Sequence, residues 1–152
     1  MKFVSFLQKG QPKFGVSDGK NITDLTGKIK GAQTLKELIV NKSINEAKEF
    51  SKKNPGKINI DEIDYLPVIP NPGKIVCVGL NYSEHVKETG RTVEQNPVIF
   101  LRVPESQTAH KQPIQRPKVS ESLDYECEMA VIMGDAGKHI QPKDALKHII
   151  GY

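Results

Sequence analysis

The sequence contains no tryptophan, only two cysteines and no long apolar run. Because a membrane-spanning helix needs about 20 mostly apolar residues, no transmembrane segment is predicted. The apolar part of the N-terminus is also too short for a signal peptide. Cys77 and Cys127 lie among apolar neighbours without a CxxC spacing, which favours reduced core thiols over a disulfide or a zinc site. Together these absences predict a cytoplasmic protein without a membrane partner.

The charge of the chain does not indicate a polyanionic partner. The net charge is +4, and four of the lysines surround an Asn54-Pro55-Gly56 turn, as expected of a solvated face. Aromatic residues are not interleaved with them in the way that single-strand nucleic-acid binders require. No nucleic-acid partner is therefore expected. The 152 residues, of which 37% are hydrophobic, are typical of a soluble globular protein with one domain or one domain and a small appendage.

Turn signals divide the chain into two parts. Residues 1–66 predict a small β/α domain, and the prolines of residues 67–73 predict a linker. Residues 74–152 predict a second domain of short strands and sparse helices, so the expected class is a β-rich α+β fold. The predicted N-terminal elements are strands Lys2–Gln8, Lys13–Val16 and Asn21–Leu25, and helices capped by Thr34 and Ser43. The predicted C-terminal elements are strands Lys74–Val78, Pro97–Arg102 and Tyr125–Met133, and helices Ser83–Gly90 and Pro142–Ile150.

The stretch Leu123–Gly134 carries two carboxylates in an otherwise apolar pattern. As a strand, it places Glu126 and Glu128 on one face with Cβ atoms about 7 Å apart. The opposite face predicts core: Tyr125, Cys127, Met129, Val131 and Met133. Two half-buried like charges cost free energy unless a proton or a cation neutralises them, and a divalent metal is the simplest remedy. An exposed sheet rim, with Asp124, Glu126 and Glu128 in water, fits the pattern equally well.

A second candidate pair is His85 and Glu88, which are three positions apart on a predicted helix and share its face. An imidazole beside a carboxylate is a common arrangement for a general base, because the carboxylate orients the ring and stabilises the imidazolium. The competing interpretation is a pair of ordinary surface neighbours. His110, His139 and His148 are predicted to have no role in chemistry.

The order of these motifs resembles the fumarylacetoacetate hydrolase family over about residues 71 to 152. The matching segments are Gly79–Glu88, Pro97–Phe100, Pro113-Ile114, Pro117, Leu123–Glu128 and Ile149–Tyr152. The N-terminal part is similar to the small domain that often precedes that catalytic domain. The resemblance implies a mixed β-roll, commonly assembled as a homodimer.

The resemblance also implies a divalent metal, Mg²⁺ or Mn²⁺ with Ca²⁺ as a further option, held by three acidic residues. Glu126 and Glu128 match two of them, and an all-oxygen set suits hard cations. His85 and Glu88 match the catalytic dyad on a lid over the metal. Arg102 and Ser106 fall where the family contacts the substrate carboxylate, although Arg102 alone also reads as a surface cation.

The activity implied is hydrolysis of a C–C bond in a 2-oxo or 1,3-dicarbonyl acid by a water that His85 activates. Decarboxylation and keto–enol isomerisation are variants of the same chemistry. In the family, an aspartate after the Gly-Tyr pair is the third metal ligand, whereas this sequence stops at Tyr152. We therefore expect a truncated catalytic domain, the N-terminal portion of a longer protein. The alternative is an inactive fragment that serves as a binding or dimerisation module.

Overall fold

The largest sheet belongs to the N-terminal part and is antiparallel throughout. In the computed structural model, which describes residues 1–91 and 96–152, its strand order is β4-β3-β2-β1-β5. Lys9 and Gly10 both have positive φ angles, of 50° and 75°, so they form the kind of two-residue turn that joins twisted strands tightly. The strands are β1 Lys2–Gln8, β2 Gln11–Ser17, β3 Asn21–Asp24, β4 Ile58–Asn59 and β5 Asp64–Tyr65.

Two helices cover one face of this sheet. Helix α1, Leu35–Val40, begins with a capping box in which the Thr34 side chain accepts from the Glu37 backbone and the Glu37 side chain accepts from the Thr34 backbone. Helix α2 spans Ile44–Lys53 after Ser43, whose side chain makes no capping hydrogen bond. The main core includes Phe14, Leu25, Ile29, Leu35 and Leu38. On the other face of the sheet, Val4, Phe6 and Ile22 form a smaller cluster.

The C-terminal part is built around one antiparallel pair of strands. Strand β6, Ile75–Gly79, pairs with β7, Val98–Arg102, and helix α3, Ser83–Glu88, follows β6. A second pair joins β8, Ile132–Met133, to β9, Ile149–Gly151. The predicted helix Pro142–Ile150 is a 3₁₀ helix over Pro142–His148, and further 3₁₀ turns span Ile60–Glu62 and Pro104–Ser106. In the described part of the chain, no helix is long and apolar enough to cross a membrane.

The predicted strand Tyr125–Met133 is wrong over most of its length. Only Ile132 and Met133 are in a strand, and the side chains meant for the core are exposed, Tyr125 by 65% and Met129 by 68%. Cys127, predicted to be a core thiol, is exposed as well. A strand exists only through hydrogen bonds to a neighbour, and in residues 1–91 and 96–152 no strand pairs with residues 124–131. Alternation of side chains was therefore an insufficient signal.

Burial differs sharply between the two parts. Among the described residues, Val86 is the one fully buried hydrophobic side chain that does not belong to the first 47 residues. Most exposed large hydrophobic side chains lie at or beyond Val68. The two parts touch where Lys42 pairs with Asp135 at 2.8 Å, and the linker is held to the first sheet where the Ser5 hydroxyl donates to the Val68 carbonyl at 2.7 Å. The N-terminal core is closed, whereas the C-terminal part leaves apolar surface in water.

The closed N-terminal core predicts a large effect of truncating Leu38, which is fully buried. We expect Leu38→Ala to lower the free energy of unfolding by about 3 kcal/mol, because the change removes buried methyl groups and leaves a cavity. Val40→Ala, at a position 68% exposed on the same helix, should change it by less than about 0.5 kcal/mol. Urea titrations of the two variants measure this difference, and equal effects would contradict the assigned core.

Candidate functional site

Helix α3 holds His85 and Glu88 together on one exposed face. The buried side chain of Val86, 4% exposed, anchors the helix, so its neighbours in sequence point outward. The His85 Nδ1 atom lies 3.8 Å from Glu88 Oε2. That distance exceeds a hydrogen bond but permits an ion pair once the ring is protonated. Because Nδ1 faces the carboxylate, Nε2 is the ring nitrogen that remains for a substrate or a water.

The other charged pair of this helix is separate from the dyad. Lys87 Nζ lies 2.8 Å from Glu84 Oε1, so the cation of the helix is engaged by Glu84 rather than by Glu88. Helix α3 ends at Glu88 with Thr89 as its C-cap. Gly90 follows with a φ of 64°, the left-handed conformation in which glycine commonly terminates a helix. The dyad therefore lies on a helix of fewer than two turns, attached to the end of β6.

The register of β6 and β7 separates two faces of the strand pair. Cys77 lies opposite Phe100, and Ile75 lies opposite Arg102; directly opposed residues share a face. All four are partly buried. The other face carries Val76, Val78, Ile99 and Leu101, all of them exposed. Hereafter these are called the Cys77 face and the outer face.

The two predicted metal ligands exert their charge on the Cys77 thiol. Burial raises the pKa of Cys77, the carboxylates of Glu126 and Glu128 raise it further, and Arg102 opposes them. A charge shifts a pKa in this way only from nearby. The charges of the segment that carries the glutamates therefore act on β6, the strand that leads to the dyad. The sequence predicts Cys77 to be an ordinary core residue. Its position opposite Phe100, two residues before Arg102 in β7, follows only from the strand pairing.

As the predicted metal ligands, Glu126 and Glu128 would provide part of a donor set for a cation. Both side chains are exposed, as in the interpretation that placed these carboxylates in water. Their oxygens suit a hard divalent ion, which takes six or more oxygen ligands. In residues 1–91 and 96–152, no group of three or more His, Cys, Asp or Glu side chains is arranged to hold a metal. Glu126 and Glu128 thus fit the chemistry of such an ion but supply only part of its shell.

The two predicted substrate contacts lie at and just after the end of β7. Arg102 is the last residue of the strand and is partly buried on the Cys77 face. Ser106 ends the short 3₁₀ turn that follows, and its hydroxyl donates to the Val103 carbonyl at 2.8 Å. That bond occupies the Ser106 hydrogen within its own turn. The roles of His85, Glu88, Glu126, Glu128, Arg102 and Ser106 stay predictions.

Solved structures define the fold class. The chain superposes on "Fumarylacetoacetate hydrolase (EaFAH) from psychrophilic Exiguobacterium antarcticum" with a TM-score of 0.71 and 29% identity, over 100% of this chain and 53% of that one. A putative HpcE protein from Mycobacterium smegmatis shares the fold, with a TM-score of 0.75 and 22% identity over 99% of this chain and 52% of that one. The architecture is that of the fumarylacetoacetate hydrolase fold.

Residues 74–152 match the family model described as "Fumarylacetoacetate (FAA) hydrolase C-terminal". The chain belongs to the fumarylacetoacetate hydrolase family, which confirms the family resemblance. It is 31% identical to "Oxaloacetate tautomerase fahd2, mitochondrial" of Xenopus laevis, over 100% of this chain and 50% of that protein. The chain thus spans half the length of this relative.

The proximity of the two glutamates to Cys77 can be tested through thiol reactivity. In a Cys127→Ser background without metal, we expect Glu126→Gln and Glu128→Gln each to lower the pKa of Cys77, because a negative charge that destabilises the thiolate is removed. Alkylation by neutral iodoacetamide should then become faster near pH 8. Glu121→Gln is the control, since its side chain is 97% exposed and it is not among the charges that shift Cys77. An unchanged pH–rate profile in both glutamate variants would contradict the geometry.

Proposed function

We propose that this chain supplies the acid–base dyad and two metal-ligand carboxylates of a divalent-metal-dependent enzyme acting on 2-oxo or 1,3-dicarbonyl acids. The observation that supports it best is the convergence on β6. Helix α3, with His85 and Glu88, follows the end of this strand, and the charges of Glu126 and Glu128 act on Cys77 within it. Membership of the family supports the same assignment.

His85 is the proton carrier in this proposal. Its side chain is 59% exposed and therefore accessible to a substrate. In hydrolysis, Nε2 takes a proton from water, the hydroxide adds to the substrate's carbonyl carbon, and cleavage of the C–C bond expels an enolate whose carbon receives the proton from the imidazolium. In tautomerisation, Nε2 takes a proton from the carbon next to the carbonyl and returns it to the enolate oxygen. Glu88 stabilises the imidazolium through Nδ1 in both. Hydrolysis and tautomerisation therefore share the step that this residue performs.

Glu126 and Glu128 would hold Mg²⁺ or Mn²⁺ through their carboxylate oxygens, together with donors that complete the shell. A cation held there would polarise the carbonyl oxygen of the substrate and orient its carboxylate. Arg102, partly buried on the Cys77 face, provides a guanidinium for the substrate carboxylate. Ser106 would donate to the substrate carboxylate once its hydroxyl turned away from the Val103 carbonyl, to which it donates in this structure.

The relatives favour two forms of this chemistry. The Xenopus laevis relative is named as an oxaloacetate tautomerase, and the Exiguobacterium antarcticum structure is named as a hydrolase. The reaction that we propose is keto–enol isomerisation of a 2-oxo dicarboxylic acid, and hydrolysis of a C–C bond is its variant. The homodimer and the cytoplasmic location expected from the sequence stay predictions.

A second candidate function is a binding or dimerisation module without turnover of its own. The observation that favours it is the partial donor set, because the described residues do not include a group of three possible ligands. The two candidates differ in whether oxaloacetate enol or a 2,4-dioxo acid is consumed when the chain is supplied with Mg²⁺ or Mn²⁺. Consumption supports the enzyme, and metal binding without consumption supports the module.

Replacement of His85 tests the dyad. We expect His85→Ala to reduce the rate of enol-to-keto conversion of oxaloacetate by at least about 100-fold, the usual effect of losing a general base. Mn²⁺ affinity should stay nearly the same, because His85 is not a metal ligand in this proposal. Lys87→Ala is the matched control on the same helix, since its partner is Glu84. Unchanged turnover in His85→Ala would remove this residue from the mechanism.

Metal binding is tested by thermal unfolding with and without millimolar Mn²⁺. A ligand that binds only the folded state raises the melting temperature by mass action. We expect a rise in the native chain and in Glu121→Gln, and none in Glu126→Gln, which lacks one carboxylate charge. A rise of equal size in all three would place the ion elsewhere.

A further inference from the structure

A cleft of about 450 Å³ lies between the first sheet and the loop that follows β7. Its floor belongs to the smaller apolar cluster of that sheet, because Val4 is part of the cluster and Ile60 and Tyr65 pack against it. Residues 66–68 and residues 108–110 of the loop also line the cleft. Small organic ligands occupy clefts of about 300 to 1,000 Å³. The cleft is therefore large enough to hold a small molecule.

The loop is held beside the sheet by two contacts. The ring of His110 meets the ring of Tyr65 edge to face, with centroids 4.9 Å apart and an interplanar angle of 86°. The side-chain amide of Gln107 donates to the carbonyl of Ile69 at 3.4 Å and to that of Pro104 at 3.1 Å. Because these contacts already position the loop, a ligand would lose little affinity to ordering it.

The charge of the lining favours an anion. Lys2 supplies a positive charge, and in the described part of the chain the ion pairs do not include this lysine. None of the described residues that line the cleft is acidic. An ammonium with no carboxylate in the same cleft attracts a negative group. The other side chains of the lining are mainly apolar, among them Phe3, Val4, Ile60, Leu66, Pro67 and Val68.

We propose that this cleft is a binding site for a small carboxylic acid with an aromatic or other apolar body. The carboxylate of the ligand pairs with the Lys2 ammonium and accepts a hydrogen bond from a ring nitrogen of His110. The apolar body packs on the floor formed by Val4, Ile60 and Tyr65. A nucleotide fits less well, because several phosphate oxygens would need donors and the described lining contains one lysine.

This inference does not depend on the proposed function. The residues assigned to the dyad, the metal and the substrate do not line the cleft: His85, Glu88, Glu126, Glu128, Arg102 and Ser106. Binding can therefore be measured in metal-free buffer and without turnover. Loss of activity in His85→Ala would leave binding unchanged, and a cleft that binds no acid would leave the assignment of the dyad unaffected.

The experiment is titration of the isotope-labelled 152-residue chain with phenylacetate in metal-free buffer, followed by the chemical shifts of the backbone amides. We expect the shifts to be confined to residues 2–4, 65–68 and 108–110. The expected Kd is about 5 mM, as is usual for a ligand with so few non-hydrogen atoms. Phenethyl alcohol has the same ring without the charge, and acetate has the charge without the ring. Each should bind at least about tenfold more weakly, because each lacks one of the two kinds of contact.

Two substitutions test the polar contacts. Lys2→Met keeps an unbranched side chain and removes the charge, so it should weaken phenylacetate binding about three- to fivefold, the usual effect of one exposed ion pair. Its matched control is Lys9→Met, at an exposed lysine of the β1–β2 turn, which should bind as the native chain does. His110→Ala should also weaken binding, whereas His139→Ala, at an exposed histidine outside the lining, should not.

Each outcome decides the proposal. Weaker binding in Lys2→Met and His110→Ala with both controls unchanged supports it, as does a preference for phenylacetate over phenethyl alcohol in the native chain. The comparison of the three ligands needs no variant, so it decides the proposal even where a substitution prevents folding. The absence of a saturable shift overturns the proposal, and so does equal affinity for phenylacetate and phenethyl alcohol. Shifts centred on residues 85–88, 102–106 or 126–128 would place the acid in the proposed substrate site and also overturn it.

Discussion

The pairing of β6 with β7 is the interaction on which the candidate site depends. It sets the end of β6, from which the chain enters the helix of His85 and Glu88, and it places Arg102 opposite Ile75 at the other end. Cys77, between these ends, is where the charges of both glutamates act. If the strands separated, the dyad, Arg102 and the two carboxylates would no longer have fixed positions relative to one another. The positions of these five predicted site residues are thus described relative to five cross-strand pairs.

Local signals predicted the elements whose causes are local. Thr34 and Glu37 lie three residues apart and form the reciprocal capping hydrogen bonds that start α1. Lys9 and Gly10 adopt the left-handed turn between β1 and β2. His85 and Glu88 come together because a helix brings residues three apart to one face. In each case the determining contact lies within a few residues, so the sequence carries the information directly.

The failures have a non-local cause. Residues 125–131 alternate as a strand does, but a strand forms only if another segment bonds to its backbone. Alternation of side chains indicates which face of a strand would be buried. Whether that face is buried depends on a second segment that pairs with or packs on the strand, and the pattern within the first segment does not identify it. The exposure of Cys127 and Met129 follows from the same cause. The electrostatic environment of Cys77 is also non-local, since the charges of Arg102 and the glutamates that shift its pKa belong to distant parts of the sequence.

In the proposed metal site, exposure and cation binding would be linked at Glu126 and Glu128. While the segment is in water, solvent and salt screen the two carboxylates, and their repulsion costs little. A polypeptide packed over this segment would remove that screening, and two buried like charges then require a cation or a proton. Packing of a polypeptide over the segment is therefore more favourable when the cation is bound, and binding of the cation is more favourable when the segment is covered. By linkage, whatever covers the C-terminal part raises the affinity for the cation, and the cation stabilises the covered state to the same extent. The open apolar surface and the partial donor set thus both lie in the C-terminal part, where the described strands form only two-stranded sheets.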